Sequence, residues 1–131
     1  MFKRSLLLGF TAGVLSGIVC LIYQQVYTKT GADFSSVAKP INIIISCIIG
    51  SLIAATGYAL FVKWFKSRGE IIFNFVFVIL SFATILGAFA VKLPLTFEDP
   101  ALFPGLVVPM HFFPALAWFT IKPLFIKPGQ I

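Results

Sequence analysis

Four long apolar runs alternate with short polar stretches along the chain. Each run is long enough to cross a bilayer, for which a helix needs roughly 20 residues. They predict helices over residues 5–27, 41–65, 71–91 and 106–125. The connections are a polar loop from Thr28 to Lys39, a short basic turn from Lys63 to Glu70, and the segment Lys92 to Gly105. That last segment holds three prolines yet is apolar through Leu93, Leu95, Phe97, Leu102 and Phe103, so it should lie at the interface or tuck over the bundle end. Pro40 suits the first turn of the second helix, where its missing N–H costs nothing. Gly69 suits a helix-end signal. Short connections make neighbouring helices antiparallel. The expected fold is all-α: an up-down, four-helix transmembrane bundle over residues 1–131 as one domain. Pro109 and Pro114 should kink its fourth helix, because each removes a backbone hydrogen bond and clashes one turn back.

Within the runs, small residues recur at helical spacing. Gly9, Gly13 and Gly17 are four apart, and Cys20 and Gln24 continue the line. All five share one helix face, a glycine-zipper pattern that lets a neighbouring backbone approach closely. On the second helix Asn42, Ser46, Gly50, Ala54 and Gly57 share a face as well. Run antiparallel, the two strips can face each other, with Gln24 and Asn42 at one depth. The third helix carries five phenylalanines, with a weaker small or polar face of Asn74, Ser81, Thr84 and Ala88.

Composition agrees with a membrane assignment. The chain is 60% hydrophobic and 11% charged, against about 25% charged in a soluble domain. Four spans occupy most of its 131 residues and leave no room for a soluble domain. The start, with Lys3 and Arg4 before an apolar run and Cys20, has the outline of a signal peptide. Val19 is too large for a lipoprotein cleavage site, and the run continues to Tyr27, longer than a signal core. It reads as a retained first helix.

Charge sets the orientation. Lys3, Arg4, Lys63, Lys66, Arg68, Lys122 and Lys127 fall on one side of the expected bundle, opposed by Glu70 alone. Lys29, Lys39 and Lys92 on the other side are balanced by Asp33, Glu98 and Asp99, so the whole net charge of +6 lies on one face. The positive-inside rule then puts both termini in the cytoplasm, and Lys122 is expected to snorkel to that interface. The basic residues sit at the ends of apolar runs rather than on a soluble face, which argues against nucleic acid as a partner. Minimal loops and the lack of a eukaryotic sorting signal point to a bacterial inner membrane.

Candidate chemistry is sparse. With this topology Gln24, Asn42 and His111 fall in the outer half of the membrane, where polar groups tend to be paired or functional. They outline an outward-opening pocket of His111, Gln24, Asn42, Tyr23 and Tyr27, walled by Phe112, Phe113 and Trp118. Carbonyls freed by Pro109 and Pro114 are available there to the His111 ring or to a ligand. The alternative is a histidine that only fixes helix packing. Cys20 and Cys47 come out at similar depth, so a thiol pair is geometrically allowed, although cysteine is also a common small packing residue.

No carboxylate lies within a span, which argues against ion-coupled transport through buried acids. One histidine cannot supply both ligands of a bis-histidine haem. No metal motif, catalytic motif or cofactor motif is present, so an enzyme is not expected. Two functional classes survive. The first is a structural or interaction protein, either a homo-oligomer or a subunit packed against a larger membrane partner. The second binds or transports a lipid, a quinone-like molecule or another small amphiphile through the pocket at His111.

Overall fold

The computed structural model describes residues 1–127 and is all-helical over them, with no strand. Helix α1 spans Phe2–Thr30, α2 Pro40–Phe65, α3 Gly69–Ala90 and α4 Phe103–Phe125. A 3-10 turn at Lys66–Arg68 joins α2 to α3, and another at Pro100–Leu102 leads into α4. Because the first turn is itself helical, Pro40–Ala90 is one helical stretch. Counted this way, three stretches are long and apolar enough to cross a membrane: Phe2–Thr30, Pro40–Ala90 and Pro100–Phe125.

The helices run slightly longer than the apolar pattern predicts. α1 gains a turn at its start, and α4 begins at Phe103 with Pro104 in its first turn, the position proline tolerates best. Pro109, Pro114 and Pro123 all lie inside α4, which nonetheless remains one helical segment. The hydroxyls of Thr11, Thr56, Ser81 and Thr120 donate to carbonyls one turn back, so their polar groups are satisfied without leaving the helix.

α1 packs on α2 and α4, and α3 packs on the same two, while α1 and α3 do not touch. The reversal between α2 and α3 depends on Gly69. A Cβ there would lie 2.6 Å from Val62 Cα and closer still to the Phe61 carbonyl, so only glycine lets the two backbones come together. Lys66, at φ 50° and ψ −123°, takes a positive-φ conformation at the end of α2.

Two apolar clusters make the core. One joins Leu8 and Ala12 of α1, Ala54, Ala55, Tyr58 and Val62 of α2, Phe73 of α3, and Ala117 and Trp118 of α4. The other gathers at the opposite end, where Phe34 packs with Phe103, Leu106 and Ala32. Phe97 stacks on Phe34 at 6.5 Å, and Phe103 meets it edge-on at 5.4 Å. Both loops therefore fold over this end. The segment after Lys92 tucks in through Leu93 and Phe97, while Leu95 stays 93% exposed.

The α1–α2 contact departs from the expected pairing of strips. The glycines of α1 do face α2: a Cβ on Gly9 would meet Ala55 Cβ and Ser51 O at 2.6 Å, and one on Gly13 would meet Ile48 Cα at 2.6 Å. Gly17 lies against Ile44. Asn42, Ser46 and Gly50 do not take part; all three are exposed, and nothing lies within 4 Å of a Cβ built on Gly50. The α2 face that meets α1 is the line Cys47, Ser51 and Ala55, also small residues spaced four apart. Of the expected strip, Ala54 is buried in the core and Gly57 faces Phe73 of α3.

Candidate functional site

The polar groups at the capped end are bonded to backbone. α1 carries Tyr23, Gln24 and Tyr27 along adjacent faces of its last turns. Gln24 is buried and donates from Nε2 to the Ala38 carbonyl at 2.6 Å, tying α1 to the loop that closes over it. Its Oε1 is buried without a partner. Tyr27 donates to Leu102 O at 2.6 Å and Tyr23 to Gly105 O at 2.8 Å.

The Tyr23 bond follows from the sequence of α4. Pro109 has no N–H, so the Gly105 carbonyl four residues earlier loses its helical donor. Tyr23 supplies the replacement from α1. Pro114 leaves the Met110 carbonyl in the same state, and Cys20 Sγ lies 3.9 Å from it. The prolines thus expose two carbonyls toward α1, and α1 places a phenol and a thiol against them. These contacts give the two freed carbonyls a donor from α1 and so hold α4 to α1.

His111 does not use these carbonyls. Its Nδ1 lies 2.8 Å from Val107 O, one turn back in its own helix, and the ring is half-buried. Phe113 packs edge-on against Tyr23 at 5.7 Å, and Phe112 meets Phe82 of α3 at 5.1 Å, so the two rings point to different neighbours.

Two members of the expected pocket lie elsewhere. Asn42 is on the exposed face of α2, apart from Gln24, because α2 turns its other small-residue line toward α1. Trp118 is fully buried in the cluster at the far end of the molecule, beside Tyr58, Phe73 and Phe77. It sits two helical turns beyond His111, about 10 Å along the axis. The structure thus brings Tyr23, Gln24 and Tyr27 together with the loops and leaves Asn42 and Trp118 out.

A second polar centre, absent from the sequence-based expectation, lies in that far cluster. Lys122 of α4 is only 8% exposed; instead of snorkelling outward it turns in and donates to Glu70 Oε1 in the first turn of α3. Its Nζ also lies 4.9 Å from the centre of the Tyr58 ring, a cation–π arrangement. The hydroxyl of Tyr58 and the indole N–H of Trp118 are buried beside it without partners. The signal was present in the sequence: Glu70 is the only acid on the basic side of the expected bundle, and Lys122 lies within the fourth expected span.

Cys20 and Cys47 are both buried and free, with their sulfurs 3.8 Å apart. Among the described residues no group of three or more His, Cys, Asp or Glu side chains converges as metal ligands do. Asp33, in the exposed loop after α1, accepts the Ser35 backbone N–H at 2.8 Å, which holds its carboxyl below the usual carboxylate range. This is a loop-stabilising turn.

An all-helical chain with spans of this length and apolarity belongs with helical membrane proteins as a class. No protein-family model, no curated protein and no solved structure matches it.

Proposed function

We propose that this is a small polytopic membrane protein of structural or interaction type, working as a homo-oligomer or as a subunit beside a larger membrane partner. In this reading the chain crosses the bilayer four times and both termini lie in the cytoplasm, following the one-sided positive charge. The observation that carries it is the outward face of α2. Asn42, Ser46 and Gly50 are exposed there among Ile45, Ile49 and Ile53. An amide and a hydroxyl facing lipid are costly, and the small residues around them let a second helix approach closely. A partner helix would satisfy the amide and fill the space over Gly50.

The test is native mass spectrometry of the protein released from nanodiscs. The expected result is a defined oligomer, or a complex with one co-purifying protein, that dissociates in Asn42→Leu and Gly50→Leu. A monomer in the parent, or an assembly that both variants leave intact, would count against the proposal.

Amphiphile binding keeps one supporting observation, at a different place from His111. A shallow groove of about 400 Å³ is lined by Leu21, Ile22, Gln25, Val26, Lys29 and Pro40. Its chemistry suits an acyl chain with an anionic headgroup. In the same spectra this reading expects an added lipid mass that Lys29→Ala removes.

A further inference from the structure

Cys20 of α1 and Cys47 of α2 bring two thiols into contact between the helices. Cys20 is fully buried and Cys47 nearly so, and their sulfurs are 3.8 Å apart. Close approach of the helices makes this possible. Gly13 lies against Ile48 Cα and the Cys47 carbonyl, and Gly17 against Ile44, so α1 runs close beside α2 over the two turns before Cys20. One donor direction satisfies both sulfur contacts. Cys20 donates its S–H to the Met110 carbonyl, which Pro114 has freed, and Cys47 donates its S–H to Cys20 Sγ.

We propose that Cys20 and Cys47 form a dithiol–disulfide couple inside the membrane, oxidised by a lipid-soluble two-electron acceptor of the quinone class. The two S–H bonds break and one S–S bond forms. The two electrons and two protons pass to the two quinone oxygens, giving the quinol. The sulfurs need to close from 3.8 Å to the roughly 2.05 Å of a disulfide, by rotation about the Cα–Cβ bonds of both residues. In this packing the pair is closed to water and lipid alike, so a quinone dissolved in the surrounding lipid reaches it when α1 and α2 part locally. The disulfide joins α1 covalently to α2 and takes the Cys20 S–H away from Met110 O, so it also loosens α4 from α1. The couple is independent of which outer face associates with a partner.

The experiment uses the full-length protein in nanodiscs, reduced and then exposed to tetramethyl-1,4-benzoquinone, whose ring has no free position for thiol addition. The expected product is a single chain lighter by about 2 Da, the mass of two hydrogens. Its two thiols are lost to alkylation, a Cys20–Cys47 linked peptide appears, and one quinol forms per chain. Cys20→Ser and Cys47→Ser each keep their remaining thiol and form no quinol. Two free thiols after exposure would overturn the proposal. So would oxygen addition to sulfur, or a link between chains in place of the intrachain bond.

Discussion

Lys122 and Glu70, fifty-two positions apart, form an ion pair between the last turn of α4 and the first turn of α3. The two ends of the pair are not equivalent. The Lys122 side chain is 10% exposed and that of Glu70 is 33% exposed. Removing the carboxylate leaves a buried ammonium with only an aromatic face, whereas removing the lysine leaves a carboxylate that water or headgroups can reach. Glu70→Leu is therefore expected to destabilise by about 2–4 kcal/mol and Lys122→Met by about 1–2 kcal/mol, in line with broken buried pairs. The double variant should recover most of the loss, because no charge is then left unpaired. Thermal unfolding in one detergent gives all three values, and equal effects from the two single changes would refute the asymmetry.

Gly13 is the tightest test of the α1–α2 contact. Its built Cβ meets backbone, at 2.6 Å from Ile48 Cα, so no side-chain rotation relieves the clash. Gly13→Ala should cost about 1–3 kcal/mol, the range for overpacking, and Gly13→Leu should separate the helices. Gly50→Ala, with open space around it, should be neutral within the chain. Melting temperatures of the two alanine variants check this; a neutral Gly13→Ala would show that the helices are not in close contact.

The sequence carried the helices plainly, because apolar runs of this length have few other uses. It carried the glycine face of α1 as well, since Gly9, Gly13 and Gly17 leave one face without side chains. It did not carry the partner face. α2 has two small-residue lines about a third of a turn apart, Asn42–Ser46–Gly50 and Cys47–Ser51–Ala55, and helical periodicity ranks them equally. Tertiary packing chose the second. Trp118 lies in a different layer from the expected pocket for a related reason. Seven residues restore the same helix face but shift it by two turns, so a shared face with His111 did not mean a shared site. A lysine near a helix end snorkels by default, and only the fold shows Glu70 within reach of Lys122.

His111 is expected to matter little. Its ring bonds within α4, and its neighbours Phe112 and Phe113 engage different helices. His111→Ala should lower stability by about 1 kcal/mol or less and leave any co-purifying mass in place. His111→Phe should retain parental stability, since the ring volume is kept. Loss of a bound molecule in both variants, with the fold intact, would restore the pocket at His111.

α1 completes the hydrogen bonding of α4. Tyr23→Phe removes the donor to Gly105 O, which has no helical partner, and should cost about 0.5–1.5 kcal/mol, the net worth of one hydrogen bond at an exposed position. Pro109→Ala restores a backbone N–H at the position that normally serves the same carbonyl. In the Pro109→Ala background the Tyr23→Phe change should then cost about half as much or less. The double-mutant cycle isolates this coupling, which single variants cannot. Tyr27→Phe serves as the internal control. Its acceptor, Leu102 O, lies ahead of the helix and is not freed by Pro109, so its cost should be the same in both backgrounds. If Tyr23 and Tyr27 respond alike to Pro109→Ala, the proline has a general effect on α4, and the specific exchange of a helical donor for the Tyr23 hydroxyl is wrong.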